Sequence, residues 1–134
     1  MIRLGELFTQ TGESLAKAEG QTLARWLVLG TLAEGPDPVA EIARRLRLAR
    51  QSVQRVADVL ADDGLVAYED NPRHRRAKLA RLTPEGGRVL ARIDAAQRAW
   101  ANRHGAEVGR ADAEQAARLL ERIRDTLIRP DSHG

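Results

Sequence analysis

Apolar residues recur at three- and four-residue steps over most of the chain, but not in one short middle stretch. Leu4, Leu7, Phe8, Thr11 and Leu15 share one face, which predicts a helix from Ile2 to about Lys17, broken at Gly20. Thr22 is placed to cap a second helix carrying Leu23, Trp26, Leu27 and Leu32, ended by Gly35-Pro36. Asp37-Pro38 reads as a start signal, an N-cap acceptor followed by proline at the first helical position. The third helix, Val39 to Leu46, would bury Val39, Ile42, Ala43 and Leu46. After a break at Arg47-Leu48, Arg50 to about Asp63 repeats the pattern with Val53, Val56, Ala57 and Leu60, and Gly64 suits a left-handed C-cap.

The period then changes. Leu65 to Glu69 is rich in strand formers, Asp70 to Arg75 holds a turn signal, and Arg76 to Leu82 can return as a second strand. Leu79 and Leu82 have opposite parity, so that strand is expected to bend or stop near Arg81. Thr83-Pro84 repeats the capping logic for a helix marked by Val89, Leu90, Ile93, Ala96, Ala99 and Trp100. A break is expected between Gly105 and Gly109. Asp112 could then cap a last helix carrying Ala116, Leu119, Leu120, Ile123 and Leu127, stopped by Pro130 and followed by a frayed tail, Asp131 to Gly134.

The predicted fold is therefore mainly α with a small β-hairpin. A short helix, a tight turn, a second helix with a polar outer face and a basic hairpin have the layout of a winged helix-turn-helix. Residues 22–83 would form it, and residues 1–20 and 84–130 would supply flanking helices.

Composition narrows the function. With 134 residues the chain can bury a core without staples, and it has no cysteine, which excludes disulfides, thiolate metal sites and a thiol redox trigger. His74, His104 and His133 are far apart and in no ligand spacing, so no metal or cofactor is expected. No phosphate-cradling loop or serine elbow is present; Asp62-Asp63 and Glu69-Asp70 read as solvated acids, and an enzyme is not expected. No apolar run is long enough to span a bilayer and the first residues do not read as a secretory signal, so a cytoplasmic location without membrane contact is expected.

Charge is informative by its distribution. The net +3 is small, and the pI of 10.1 reflects bases that are nearly all arginine. Between Glu41 and Leu82 ten bases face six acids, a balance of +4, while the rest of the chain sums to −1. A solvated face would explain this, and so would a polyanion partner.

The motifs decide between the two. Gly64-Leu65-Val66 starts a strand, Asn71-Pro72-Arg73-His74-Arg75-Arg76 forms the turn, and Leu82-Thr83-Pro84-Glu85-Gly86 opens the next helix. In that order, with Arg50 to Val56 before them, they resemble the MarR family of prokaryotic transcription regulators. The resemblance covers most of the chain. It implies a homodimer on a palindromic operator in double-stranded DNA, acting as a repressor, and in some members relieved by a small aromatic or phenolic effector. His74 departs from the family pattern: many members carry an acid there that braces a wing arginine.

Carried onto this chain, the resemblance makes Arg50, Gln51, Ser52, Gln54 and Arg55 candidates for the major groove, where arginine pairs with guanine and glutamine with adenine. Arg73, His74, Arg75 and Arg76 are candidates for the minor groove, while Lys78 and Arg81 would serve phosphates or solvent. Leu7, Leu15, Leu90, Ile93, Leu119, Leu120 and Ile123 would interlock two subunits, the competing reading being one chain's own core. Trp26 and Trp100 could line an effector pocket, although packing is the commoner role of tryptophan on an apolar face. The competing function is a winged-helix module for protein contacts or non-specific DNA architecture. The polar face from Arg50 to Arg55 speaks against protein contacts.

Overall fold

The computed structural model describes residues 3–128. The expected helix start at Ile2, the stop at Pro130 and the tail 131–134 lie outside them. The elements run α1 (Leu4–Lys17), α2 (Leu23–Leu32), β1 (Asp37–Pro38), α3 (Val39–Leu46), α4 (Arg50–Asp62), β2 (Val66–Glu69), β3 (Leu79–Leu82), α5 (Pro84–Val108) and α6 (Arg110–Ile128). The chain divides into two compact units, Met1–Ala96 and Gln97–Gly134. The first unit therefore takes in α1 and much of α5 as well as the expected winged helix. No described helix is long and apolar enough to cross a membrane.

Local chemistry sets several boundaries as expected. The Thr22 side chain accepts from Arg25 N (3.2 Å) and starts α2. Gly64, at φ +75°, takes the left-handed turn after α4, where a side chain would strain the backbone. The Thr83 hydroxyl accepts from Gly86 N (3.0 Å) while donating to Gly64 O (2.7 Å), so one side chain caps α5 and ties its start to the end of α4. Gly86 follows from the same packing: a Cβ there would lie 2.0 Å from the Leu65 carbonyl oxygen.

Other expectations are corrected. Asp37-Pro38 is not a cap followed by a first helical residue but the edge strand of a three-stranded antiparallel sheet ordered β1-β3-β2. Asp37 pairs with Ala80 and Pro38 with Leu79, an edge position where proline's missing N–H is harmless. The return strand begins at Leu79, not Arg76, and stops at Leu82, next to Arg81, where it pairs with Val66. The parity conflict resolves because Ala80 and Leu82 carry the inward face, leaving Leu79 on the other. Helix α5 passes through Gly105, and the break falls at Gly109 alone, at φ +97°. Asp112 lies in the first turn of α6 rather than before it, where its charge suits the helix dipole.

The core of the first unit is made where α2, α3, α4 and the sheet meet. Leu29, Ile42, Leu60 and Ile93 are its largest sealed side chains, joined by Val89 and Leu90 of α5. This corrects the reading of Leu90 and Ile93 as subunit contacts: at 6% and 0% exposure they are covered by their own chain.

Candidate nucleic-acid interface

Helix α3 ends at Leu46 and is capped by Arg47, whose backbone turns left-handed (φ 56°, ψ 42°), with Leu48 N donating to Ala43 O (3.0 Å). That single reversal launches α4 from Arg50. Val53, Ala57 and Leu60 fasten α4 to the core, so their helical neighbours must turn outward. Arg50, Gln51, Ser52 and Arg55 are all exposed.

Ion pairing sorts the ten bases of residues 41–82. Arg44 pairs with Glu41 (2.8 Å), and Arg45 bridges Glu34 and Asp37, so the basic face of α3 is neutralised. The Arg44 guanidinium in turn holds the Glu41 carboxyl below its ordinary value. Arg81 pairs with Glu69 (3.3 Å) on the outer face of the hairpin. It is thus held by a neighbour while its side chain remains 44% exposed. The other seven, Arg47, Arg50, Arg55, Arg73, Arg75, Arg76 and Lys78, have no carboxylate within 4.0 Å among the described residues.

The wing tip is the loop between β2 and β3. Its turns are closed by Arg73 N on Asn71 Oδ1 (3.0 Å), His74 N on Asn71 O (3.1 Å) and Ala77 N on His74 O (3.2 Å). Asn71 thus does for the backbone what an Asx turn does. His74 is exposed, as are Arg73, Arg75 and Arg76. The wing root and α4 line one cleft of about 290 Å³, with Arg50 and Gln54 on the helix side, Arg76, Ala77 and Lys78 on the wing side, and Pro38, Val39 and Ala40 beneath.

Gln54 differs from its neighbours. It is half-buried, and its Nε2 donates to Asp58 Oδ1 (2.9 Å) and to the Tyr68 hydroxyl (3.2 Å), which itself donates to Asp58 Oδ1 (2.6 Å). These bonds lower the Asp58 carboxyl from its ordinary value, the Tyr68 hydroxyl contributing most. Burial, then the bond to Asp58, pushes the Tyr68 phenol up. Sequence reasoning missed both residues. The four-residue step from Gln54 to Asp58 was a visible signal, but the tyrosine's arrival from β2 was not.

The remaining candidates separate. Leu7 is 42% exposed and Leu15 half-buried on α1, while Leu119, Leu120 and Ile123 of α6 are 47%, 58% and 55% exposed. Trp26 donates from Nε1 to Asp94 Oδ1 (2.9 Å) and borders an open cavity of about 380 Å³ with Leu27, Gly30, Thr31, Glu34, Arg45 and Leu46. Trp100 meets the His104 ring edge-on, centroids 4.5 Å apart.

The pattern of the MarR family matches residues 20–77, the stretch from the start of α2 through most of the wing. An uncharacterised protein of Mycobacterium tuberculosis is 42% identical over 93 residues, covering 69% of this chain and 65% of its own length. This chain thus spans less than two thirds of that relative. The crystal structure of the MarR family transcription regulator SP03579 superposes with a TM-score of 0.86 at 20% identity, covering 92% of this chain and 83% of that one. The PcaV transcriptional regulator of Streptomyces coelicolor, solved with its natural ligand, is 25% identical with a TM-score of 0.74, covering 91% and 89%. MarR proteins are DNA-binding transcription regulators rather than enzymes. With its winged helix and unpaired basic wing, the stretch 20–77 matches the MarR family, and the chain has the fold of that family's solved members.

Proposed function

We propose that this protein is a homodimeric, sequence-specific DNA-binding transcription regulator, with α4 in the major groove and the wing in the adjacent minor groove. One observation carries the reading: Arg50 of α4 and Arg76 and Lys78 of the wing root, all without a carboxylate partner, border a single cleft, so helix and wing present one continuous basic surface. Arg50, Gln51, Ser52, Gln54 and Arg55 are the groove-reading set, and Arg73, His74, Arg75 and Arg76 the wing set. Guanidiniums fit both tasks, bidentate on guanine in one groove and drawn to negative potential in the other.

Dimerisation rests on α6, whose Leu119, Leu120 and Ile123 lie open, with Leu7 and Leu15 of α1 as further contacts. A two-fold dimer spaces its recognition helices about 34–36 Å apart, one DNA turn, and so selects a palindrome. Occupying a promoter blocks polymerase, which makes repression the expected output in the cytoplasm. A small aromatic or phenolic effector would be taken beside Trp26, whose cavity has the volume of a small-molecule site. Trp100, engaged with His104, is the second aromatic candidate.

The test is selection of DNA from a random duplex pool by the purified protein. The expected result is a palindromic motif whose binding falls steeply with salt, log K against log salt having a slope of about −0.9 per phosphate contacted. Equal binding to every duplex would instead favour an architectural module.

A further inference from the structure

Arg47 is the one non-glycine among the described residues with a positive φ, 56°, and its ψ of 42° puts it in the left-handed region. Glycine holds the other positive-φ positions, Gly20, Gly35, Gly64 and Gly109. A Cβ in that region crowds the neighbouring carbonyl, so arginine strains a turn that glycine makes without cost. Strained residues of this kind gather at ligand clamps and other working sites. Arg47 is also exposed, with no carboxylate within 4.0 Å among the described residues. Its neighbours in the last turn of α3 differ: Arg44 is held by Glu41, and Arg45 by Glu34 and Asp37. Arg47 is thus the unpaired cation at the join between α3 and α4, three residues ahead of Arg50.

We propose that Arg47 binds a DNA phosphate, a contact outside the groove-reading and wing sets that fixes where α4 enters the groove. The inference rests on the reading of α4 as a groove helix. In a helix-turn-helix the first helix crosses the sugar–phosphate backbone, and the second places its N-terminal residues on base edges. The turn between them therefore passes over phosphates. A side chain ahead of the first turn of α4 meets the strand that flanks the groove, not the bases inside it. A guanidinium suits that task, because its planar fork takes two phosphate oxygens at once. The competing role is electrostatic support for the C-terminal end of α3. Arg44 and Arg45 already stand there, and such support does not require a strained backbone.

Three variants separate charge from strain. Arg47→Gly removes the charge and relaxes the backbone. Arg47→Asn removes the charge with a side chain that tolerates the left-handed region, and Arg47→Lys keeps the charge without the fork. Binding is titrated against salt on two duplexes, the sequence most enriched from the random pool and its scrambled counterpart. Arg47→Gly and Arg47→Asn should each lose roughly tenfold in affinity per bound copy, by the same factor on both duplexes. The slope of log K against log salt should become shallower by about 0.9 per copy. Arg47→Lys should keep the wild-type slope, and the denaturant midpoint of Arg47→Gly should rise. An unchanged slope in the Gly and Asn variants overturns the proposal, and a lowered Gly midpoint alongside it assigns Arg47 to the end of α3. A loss confined to the selected duplex overturns it as well, since that is base reading. Equal wild-type affinity for both duplexes refutes the sequence-specific regulator, while the slopes still decide whether Arg47 meets a phosphate. A wild type that binds neither duplex sinks both readings.

Discussion

In the unit Met1–Ala96 the core-facing apolar side chains of α2 and α4 are sealed: Leu29 and Leu60 are 0% exposed. In the unit Gln97–Gly134 those of α6 lie open, Leu120 at 58% and Leu127 at 73%. Leu120, Ile123 and Leu127 follow one another at three- and four-residue steps, so the open side chains form a stripe and not a scatter. An amphipathic helix alone in water has little to hold it, because most helical stability comes from covering the apolar face. The first unit covers the apolar faces that meet in its core, although Leu4, Leu7 and Phe8 of α1 stay open. The second carries a surface suited to a partner, which is where the proposed dimer contact belongs.

The contrast can be broken from either side. In the first unit Gly86→Ala is expected to have the largest effect, because the added methyl meets the Leu65 backbone oxygen and a main chain cannot swing away. A loss of about 3 kcal/mol is expected, read as a lowered midpoint in denaturant titration. An unchanged midpoint would mean that the contact between α5 and the hairpin is loose. In the second unit, Leu120→Glu with Ile123→Glu should leave the first unit folded and abolish the dimer. Sedimentation at micromolar concentration should then give a 14.8 kDa species that retains helical circular dichroism. A dimer that survives both changes would place its interface elsewhere.

Smaller effects sharpen the picture within the first unit. Arg75→Ala with Arg76→Ala removes two unpaired charges from an exposed loop and should not alter stability. Binding should weaken on every duplex, and the salt slope should fall by roughly 0.9 for each arginine that contacted a phosphate. The least perturbing measurement is an absorbance titration of the single tyrosine. Tyr68 should ionise only above the ordinary tyrosine range, and Asp58→Ala should bring it down. Because the folded phenol is raised, its contribution to stability is complete below the unfolded value and is lost as pH rises through the folded one. Asp58, whose carboxyl is lowered, contributes above the unfolded carboxylate value and loses that contribution as pH falls through its folded one.

What could be read from the chain alone follows the range of the forces involved. The caps at Thr22 and Thr83 and the turn at Gly64 depend on neighbours three residues away or fewer, and they stand where composition put them. The basic character of α4 and the wing was equally plain. Asp37-Pro38 misled because its partner strand lies some forty positions later, and two residues have no periodicity of their own. Leu90 and Ile93 misled for another reason: spacing identifies an apolar face but not the body that covers it. The Gln54–Asp58–Tyr68 network joins a helix to a strand, so its chemistry was visible residue by residue and its assembly was not.

The wing has a further consequence for the rate and order of docking. Its nine-residue loop, 70–78, is pinned at both ends by the pairing of Glu69 with Leu79. With four to five residues to each side of the tip, Arg73 to Arg76 can range no more than about 16 Å from that anchor. Once α4 engages a groove, the guanidiniums are confined near the duplex at an effective concentration on the order of millimolar. Wing contact then becomes an intramolecular step that needs no second encounter, so losing it should show mainly as a shorter residence time on DNA.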